Sequence, residues 1–538
     1  MIITRLCSLP ERFQQFLEKC PARRRASLFL VPLAGIAVGL LMTGVLIRGR
    51  STLFTVVTCL SLPLLCLLAH RARKVFVLAA MLTALIAGGF VITPFSMGDA
   101  PSNVSITYNL LVHGVYSATE APDPDTEVAY SSFREPVLPV SLLPFAAAAL
   151  HDLSELPPAQ RLERLNVHPY LKGATVLWSA LLLLGMWTLA ASRSVPLAGW
   201  LAMSFSFIYF CRENIGVMLS EIPAAALFVW LSFCMAKGIE TRRAGWYALS
   251  GLIAALLALT KLLFFYLFLG SMPLLMLALC RKNALGVRES LRLAGTSLAV
   301  FALCLSGYVA LSVYCHPGIH PRDVLFSERG NHVMAARALK NFMTADERVG
   351  SLYVYSRGGI NTIAGWLLDA DKKDAERGGR WERLSRGTDR AKEDDDKGEE
   401  PKWVKDPRSY YVLAKDEATI ANATRIIKDN LALHLAMSPI FLYRGIFGLA
   451  TGSLGVLLFL YSATRFFLAV FKNRTEELAV LWYPLAMIGA YAVTSHFIPR
   501  YAYPMSPILE TWLIIQLTLW GQAKVRACCR GTDLPDGP

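Results

Sequence analysis

Long apolar runs separated by short basic connectors dominate this chain. Each run is roughly 16–22 residues, the length an α-helix needs to cross a hydrocarbon core of about 30 Å. The pattern predicts spans near residues 27–47, 52–69 and 75–95, then 171–191, 195–210 and 216–236. Further spans are expected at 245–260, 262–280 and 293–314, and the last at 445–464, 478–493 and 504–520. About twelve such runs describe an all-α polytopic membrane protein, a helical bundle with two extracytoplasmic loop regions.

The connectors set an orientation, because Lys and Arg concentrate on the cytosolic side of membrane helices. Arg71, Arg73 and Lys74, then Arg193, Lys237, Arg242 and Arg243, fall on one side of the predicted bundle. Arg281, Lys282 and Arg288, then Lys472, Arg474, Lys524 and Arg526, fall on the same side, while Arg48 and Arg50 run against the trend. The layout is then a cytosolic segment 1–26, three spans in 27–95, an external loop 96–170 with juxtamembrane helices, and six spans in 171–314. A second external loop occupies 315–443, three spans fill 444–520, and 521–538 is a cytosolic tail. Within the second loop, residues 371–402 are charge-mixed and of low complexity, a composition expected to stay disordered. Ile420, Ile427, Leu431 and His434 follow at near-helical spacing, as in a helix along a membrane surface.

Composition sharpens this picture. Of 538 residues, 54% are hydrophobic and 17% charged, where soluble domains carry about 25% charged residues. The net charge of +14 is accounted for by the basic connectors, and no nucleic-acid-binding motif accompanies it. The 11 cysteines have neither disulfide-framework nor metal-ligand spacing. The polar first 26 residues, ending in Arg23, Arg24 and Arg25, read as a cytosolic lead into a retained anchor. Compact loops suit a bacterial inner membrane, with the outer face towards the periplasm.

Four charged features sit at span ends, where ionisable groups are costly and often functional: Asp99, Glu221 after Ser220, Lys261 after Thr260, and Arg500 before Tyr501. The topology assigns all four to the outer face. Two carboxylates beside two cations suit glycosyl transfer from a lipid phosphate: a base takes the acceptor's proton and cations stabilise the departing phosphate. Lys261 is a point charge and Arg500 a planar fork.

The residues around these charges carry a resemblance. The first outer loop contains Gly98-Asp99, Tyr108-Asn109-Leu110-Leu111, His113-Gly114-Val115-Tyr116-Ser117, and Arg134-Glu135-Pro136 followed by Pro139. It resembles the first external loop of the GT-C glycosyltransferases, above all the protein O-mannosyltransferases and the lipid A aminoarabinose transferases. Ser220-Glu221, Ala258-Leu259-Thr260-Lys261 and Arg500-Tyr501, with Pro504 and Pro507, are similar to later motifs of those families and follow in the expected order. Two extra spans precede the motif loop, Asp99 is followed by Ala100 where a mannosyltransferase usually has Glu, and Glu135-Pro136 stands where the aminoarabinose transferases usually have paired prolines.

The resemblance implies a polyprenyl-phosphate sugar as donor, a lipid, glycan or protein acceptor, inversion at the anomeric carbon, and a metal-independent reaction with no further cofactor. Asp99 would be the base and Glu221 would orient sugar or acceptor. Lys261, Arg500 and Arg134 would meet the phosphate, with Tyr501, Tyr108 and Arg212 as further substrate contacts. Plainer readings stand beside these. Asp99 could cap a helix running from Val104, Glu221 could pair with Arg212, and Lys261 could snorkel to the interface. A secondary transporter or lipid flippase would share the helix count and the intramembrane charges, although no inverted repeat is visible. Glu510, Arg444, His316, His320 and His332 fit no motif. Asn103 and Asn422 head glycosylation sequons, and Trp178, Trp200, Trp246 and Trp512 are expected mostly at lipid or the interface.

Overall fold

A computed structural model describes residues 99–131, 134–281, 285–325, 431–449, 453–472, 474–494 and 499–530, with single positions 94 and 428. The first three expected spans, the 371–402 stretch, Ile420, Ile427, His332 and Asn422 lie outside the described residues. Among the described residues every regular element is helical, and six helices are long and apolar enough to cross a membrane. This is the character of a multi-pass membrane protein.

The first loop folds as three helices: α1 (Ala100–Val112), α2 (Val137–Asp152) and α3 (Pro158–Leu165). They enclose a small core of their own, with Tyr108, Leu142 and Leu171 packed beside Val217 and Met218. Helix α1 ends at Gly114, whose φ of +69° suits a residue without a Cβ. The bundle follows as α4 (Lys172–Ser192), α5 (Pro196–Ser206), α6 (Glu221–Thr241), α7 (Ala244–Ala258), α8 (Leu263–Arg281) and α9 (Val287–Cys315). After the second loop come α10 (Leu431–Ile446), α11 (Ser453–Phe471), α12 (Thr475–Thr494) and α13 (Ser506–Arg530).

Helix α6 is the axis of the bundle. Its apolar window is 89% buried within the protein, against 17% for α9. A helix that is apolar all round is stable only with neighbours on every side, and Ala224, Ala225 and Ala226 let those neighbours approach. Closer still is the crossing of α7 and α9, where a Cβ on Gly251 would lie 2.2 Å from the Ser297 carbonyl oxygen.

The helices alternate in direction, so their termini form two ends. At one end the Val137 amide donates to the Leu259 carbonyl at 3.3 Å, Thr175 Oγ1 donates to the Ile215 carbonyl at 2.6 Å, and the Tyr116 amide donates to His316 Nε2 at 3.4 Å. The first loop thus sits over the close of α7, the segment before α6 and the close of α9. At the other end lie Arg193, Arg242, Arg281 and Arg474, just past or at the termini of α4, α6, α8 and α11.

Several boundaries differ from the pattern-based expectation. Helix α6 starts at Glu221, five residues after the expected 216, because residues 216–220 make tight turns and Pro223 is tolerated only in a first helical turn. The run 445–464 splits: α10 closes in a 3-10 turn, Phe447–Leu449, and α11 begins at Ser453. Gly445, Gly448 and Gly452 weaken helix through that run. Helix α9 starts before 293 and α13 continues past 520, because both helices outrun their apolar stretches. Trp200 and Trp512 are buried rather than facing lipid. Asn103 is buried too, and its amide donates to the Met218 carbonyl at 2.8 Å, which takes it out of consideration as a surface sequon.

Candidate functional site

Five charged side chains, drawn from residues 99 to 500, converge at the end of the bundle under the first loop. Asp99 occupies the N-cap position of α1, but its side chain makes no capping hydrogen bond. Instead Arg134 Nη2 donates to Asp99 Oδ1 at 2.8 Å and Arg500 Nη2 donates to Asp99 Oδ2 at 2.6 Å. The helix begins at Ala100, not Val104, and Pro101 in its first turn makes a side-chain cap less necessary. The capping role is therefore displaced by ion pairing.

Arg500 reaches a second carboxylate: its Nε lies 3.3 Å from Glu221 Oε1. Lys261 Nζ lies 3.4 Å from the same oxygen. Glu221 therefore pairs with Lys261 and Arg500 and not with Arg212, which is half-buried on a one-turn helix, Arg212–Asn214, and makes no ion pair among the described residues. As the first residue of α6, Glu221 sits where unsatisfied backbone amides favour negative charge. Lys261 follows the last turn of α7, its amide donating to the Leu257 carbonyl at 2.8 Å. It is buried at the protein end of the bundle rather than extended to an interface.

Exposure grades across the cluster. The Asp99 and Arg500 side chains are 26% and 25% exposed, Arg134 9%, Lys261 5% and Glu221 2%. A mouth of one carboxylate and one guanidinium thus opens onto a buried Glu–Lys pair. Glu221 Oε2 is buried with no hydrogen-bond partner among the described residues, an acceptor position that a ligand hydroxyl can fill. Three cations face two carboxylates, leaving one excess positive charge. Burial alone would lower the Arg500 pKa, but attraction from Glu221, Asp99 and Tyr501 outweighs it, so the guanidinium is held more firmly charged than usual.

Two further residues shape the site. Glu135 Oε1 accepts from the Leu262 amide at 3.4 Å, beside the Val137–Leu259 backbone bond. The tripeptide Arg134-Glu135-Pro136 therefore joins Asp99 on one side to the Lys261 turn on the other. Tyr503, half-buried, has its hydroxyl pKa raised by burial and then by Glu213 and Glu221. Spacing alone marks neither residue, though both stand within the motifs that carry the family resemblance.

The remaining expected contacts are structural. Tyr108 is buried in the loop core with its hydroxyl donating to the Pro122 carbonyl at 2.6 Å, so it has no face left for a ligand. Tyr501 is buried and stacks on Tyr491 with ring centroids 5.0 Å apart, steadying the backbone beside Arg500. Glu510 accepts from Ser506 Oγ at 2.6 Å and makes no ion pair among the described residues. His316 belongs to the loop anchor through Tyr116 and the Tyr130 ring, 5.0 Å away, rather than to a solvated loop.

No protein-family model, curated protein or solved structure matches this chain. The site is therefore read on its own chemistry.

Proposed function

We propose that this end of the bundle transfers a sugar from a polyprenyl phosphate to an acceptor, as a GT-C-like glycosyltransferase of the outer or periplasmic face. The observation that carries the reading is the convergence of Asp99, Arg134, Glu221, Lys261 and Arg500 from five separate chain segments. Two carboxylates and an excess cation under a loop, at the mouth of an apolar bundle, meet the needs of an anionic leaving group on a lipid tail.

In this mechanism the acceptor's hydroxyl or amine attacks the anomeric carbon. A new bond forms to that carbon and its bond to the phosphate oxygen breaks, with inversion. The proton passes to an Asp99 oxygen, and the electron pair leaves with the polyprenyl phosphate. Arg500 exchanges a carboxylate oxygen for a phosphate oxygen, the charge-assisted pairing a guanidinium makes best. Arg134 keeps the other Asp99 oxygen oriented. Lys261 supplies fixed positive charge from behind, and Glu221 Oε2 takes a hydroxyl of the sugar.

The test is release of polyprenyl phosphate from a polyprenyl-phosphate sugar by the purified chain. Wild type should release it, Asp99→Asn should bind the donor without turnover, and Arg500→Gln should lose donor binding. Full turnover by a correctly folded Asp99→Asn would end the assignment of the base. Movement of intact prenyl phosphate across a vesicle, without consumption, would turn the reading towards a flippase.

A further inference from the structure

A second charged cluster occupies the opposite end of the bundle. There a cleft of about 450 Å³ is lined by Arg193, Arg465, Arg474, Thr475, Glu476 and Glu477, with Trp512 and Gln516 as its wall. Arg465 pairs with Glu477 and donates to Gln516 Oε1 at 2.7 Å, and the Trp512 indole donates to Glu477 Oε1 at 3.2 Å. Arg474 lies 3.6 Å from Glu477 Oε2.

Arg193 is the unsatisfied member. Its Nη1 pairs with Glu476, while Nε and Nη2 are buried and have no hydrogen-bond partner among the described residues. Its side chain is only 10% exposed. A buried guanidinium edge without an acceptor is costly, and a tetrahedral oxyanion fits such an edge. Three cations against two carboxylates, with Glu477 already held by Arg465 and Trp512, leave Arg193 and Arg474 for an anion. Position supplies the source: α4 ends at Ser192, α11 at Phe471, and α12 starts at Thr475. All three are candidate spans, so their termini sit at the depth of lipid headgroups.

We propose that this cleft binds a phosphate group, supplied by an anionic membrane lipid, between Arg193 and Arg474. It is separate from the five-residue cluster and does not depend on the function proposed for that cluster.

Native mass spectrometry of the full chain in mild detergent with phosphatidylglycerol tests this. Arg193→Gln should lower lipid retention about tenfold, the loss of one charge-assisted contact. Arg193 also holds Glu476, so its variant could misfold; Arg474→Gln, at a side chain 44% exposed, guards against that and should lower retention as well. Arg500→Gln, at the other end, should keep this lipid. Displacement by excess inorganic phosphate supports a site that reads the phosphate alone. Resistance to phosphate, with the arginine dependence intact, supports the whole headgroup as ligand. Unchanged retention in both Arg193→Gln and Arg474→Gln, or equal loss in Arg500→Gln, overturns the proposal.

Discussion

The two ends of the bundle have the same charges, three cations and two carboxylates, and are built differently. Under the first loop, Asp99 precedes α1, Arg134 is in a connector, Glu221 opens α6, Lys261 follows α7 and Arg500 lies on a four-residue helix. All five stand at junctions. At the far end, Arg465 lies inside α11, Trp512 and Gln516 lie inside α13, and the carboxylates are in the first turn of α12. Groups held within helices keep their places through packing, whereas groups at junctions can exchange partners when a connector shifts. The difference teaches that charge balance alone does not distinguish a reaction site from a rigid receptor; where the charges attach to the fold does.

The comparison can be broken by measurement. The largest effect belongs to the proposed base: Asp99→Asn should lower turnover by about 10²- to 10⁴-fold, with little loss of stability because the side chain is partly exposed. Single-turnover kinetics beside a thermal midpoint would show the split. Glu477→Ala should do the reverse. It strands Arg465 at a site where Glu477 is 4% exposed, and breaking a buried pair costs about 3 kcal/mol, seen as a lower unfolding midpoint with donor binding unchanged. A double-mutant cycle on Asp99→Asn and Arg134→Gln should give a coupling of about 1–3 kcal/mol in donor binding, and additivity would remove Arg134 from its orienting role.

The smallest effect concerns pH. Burial lowers the His316 pKa below its ordinary value of 6.5, and its unprotonated Nε2 accepts from the Tyr116 amide. With the folded-state pKa depressed, this anchor is fully present above the ordinary value and is lost as pH falls through the lowered one. Hydrogen exchange at the Tyr116 amide should therefore quicken on acidification, and His316→Phe should exchange quickly at every pH.

Much of the junction cluster was legible in the sequence because charges at the ends of apolar runs are conspicuous. Asp99, Glu221, Lys261 and Arg500 could be picked out that way, and Arg134 by its motif. Tyr108 and Arg212 were drawn in by proximity along the chain, which does not report the direction of a side chain: one turns into the loop core and the other away from Glu221. The far cluster was missed for the opposite reason. Ending a span at 464 placed Arg465 beyond it, although an arginine within the run that became Ser453–Phe471 was the available signal. Apolar runs gave helix existence well. They gave boundaries poorly where proline, glycine or a polar extension governs the end, as at Pro223, Gly448 and Val287.

One irregularity has a consequence for how this protein can change. After α5 the chain makes a single π-helical turn, Phe207–Cys211, before Arg212–Asn214 and the Ile215 carbonyl that receives Thr175. A π-turn holds one residue more than the α-helix around it needs. Removing one residue there would let the helix run regularly and would swing everything after it by about 100°, carrying Ile215 off Thr175 and disturbing the approach to Glu221. Substitutions in 207–211 are therefore tolerable in a way that a one-codon deletion is not: the segment counts residues more strictly than it chooses them.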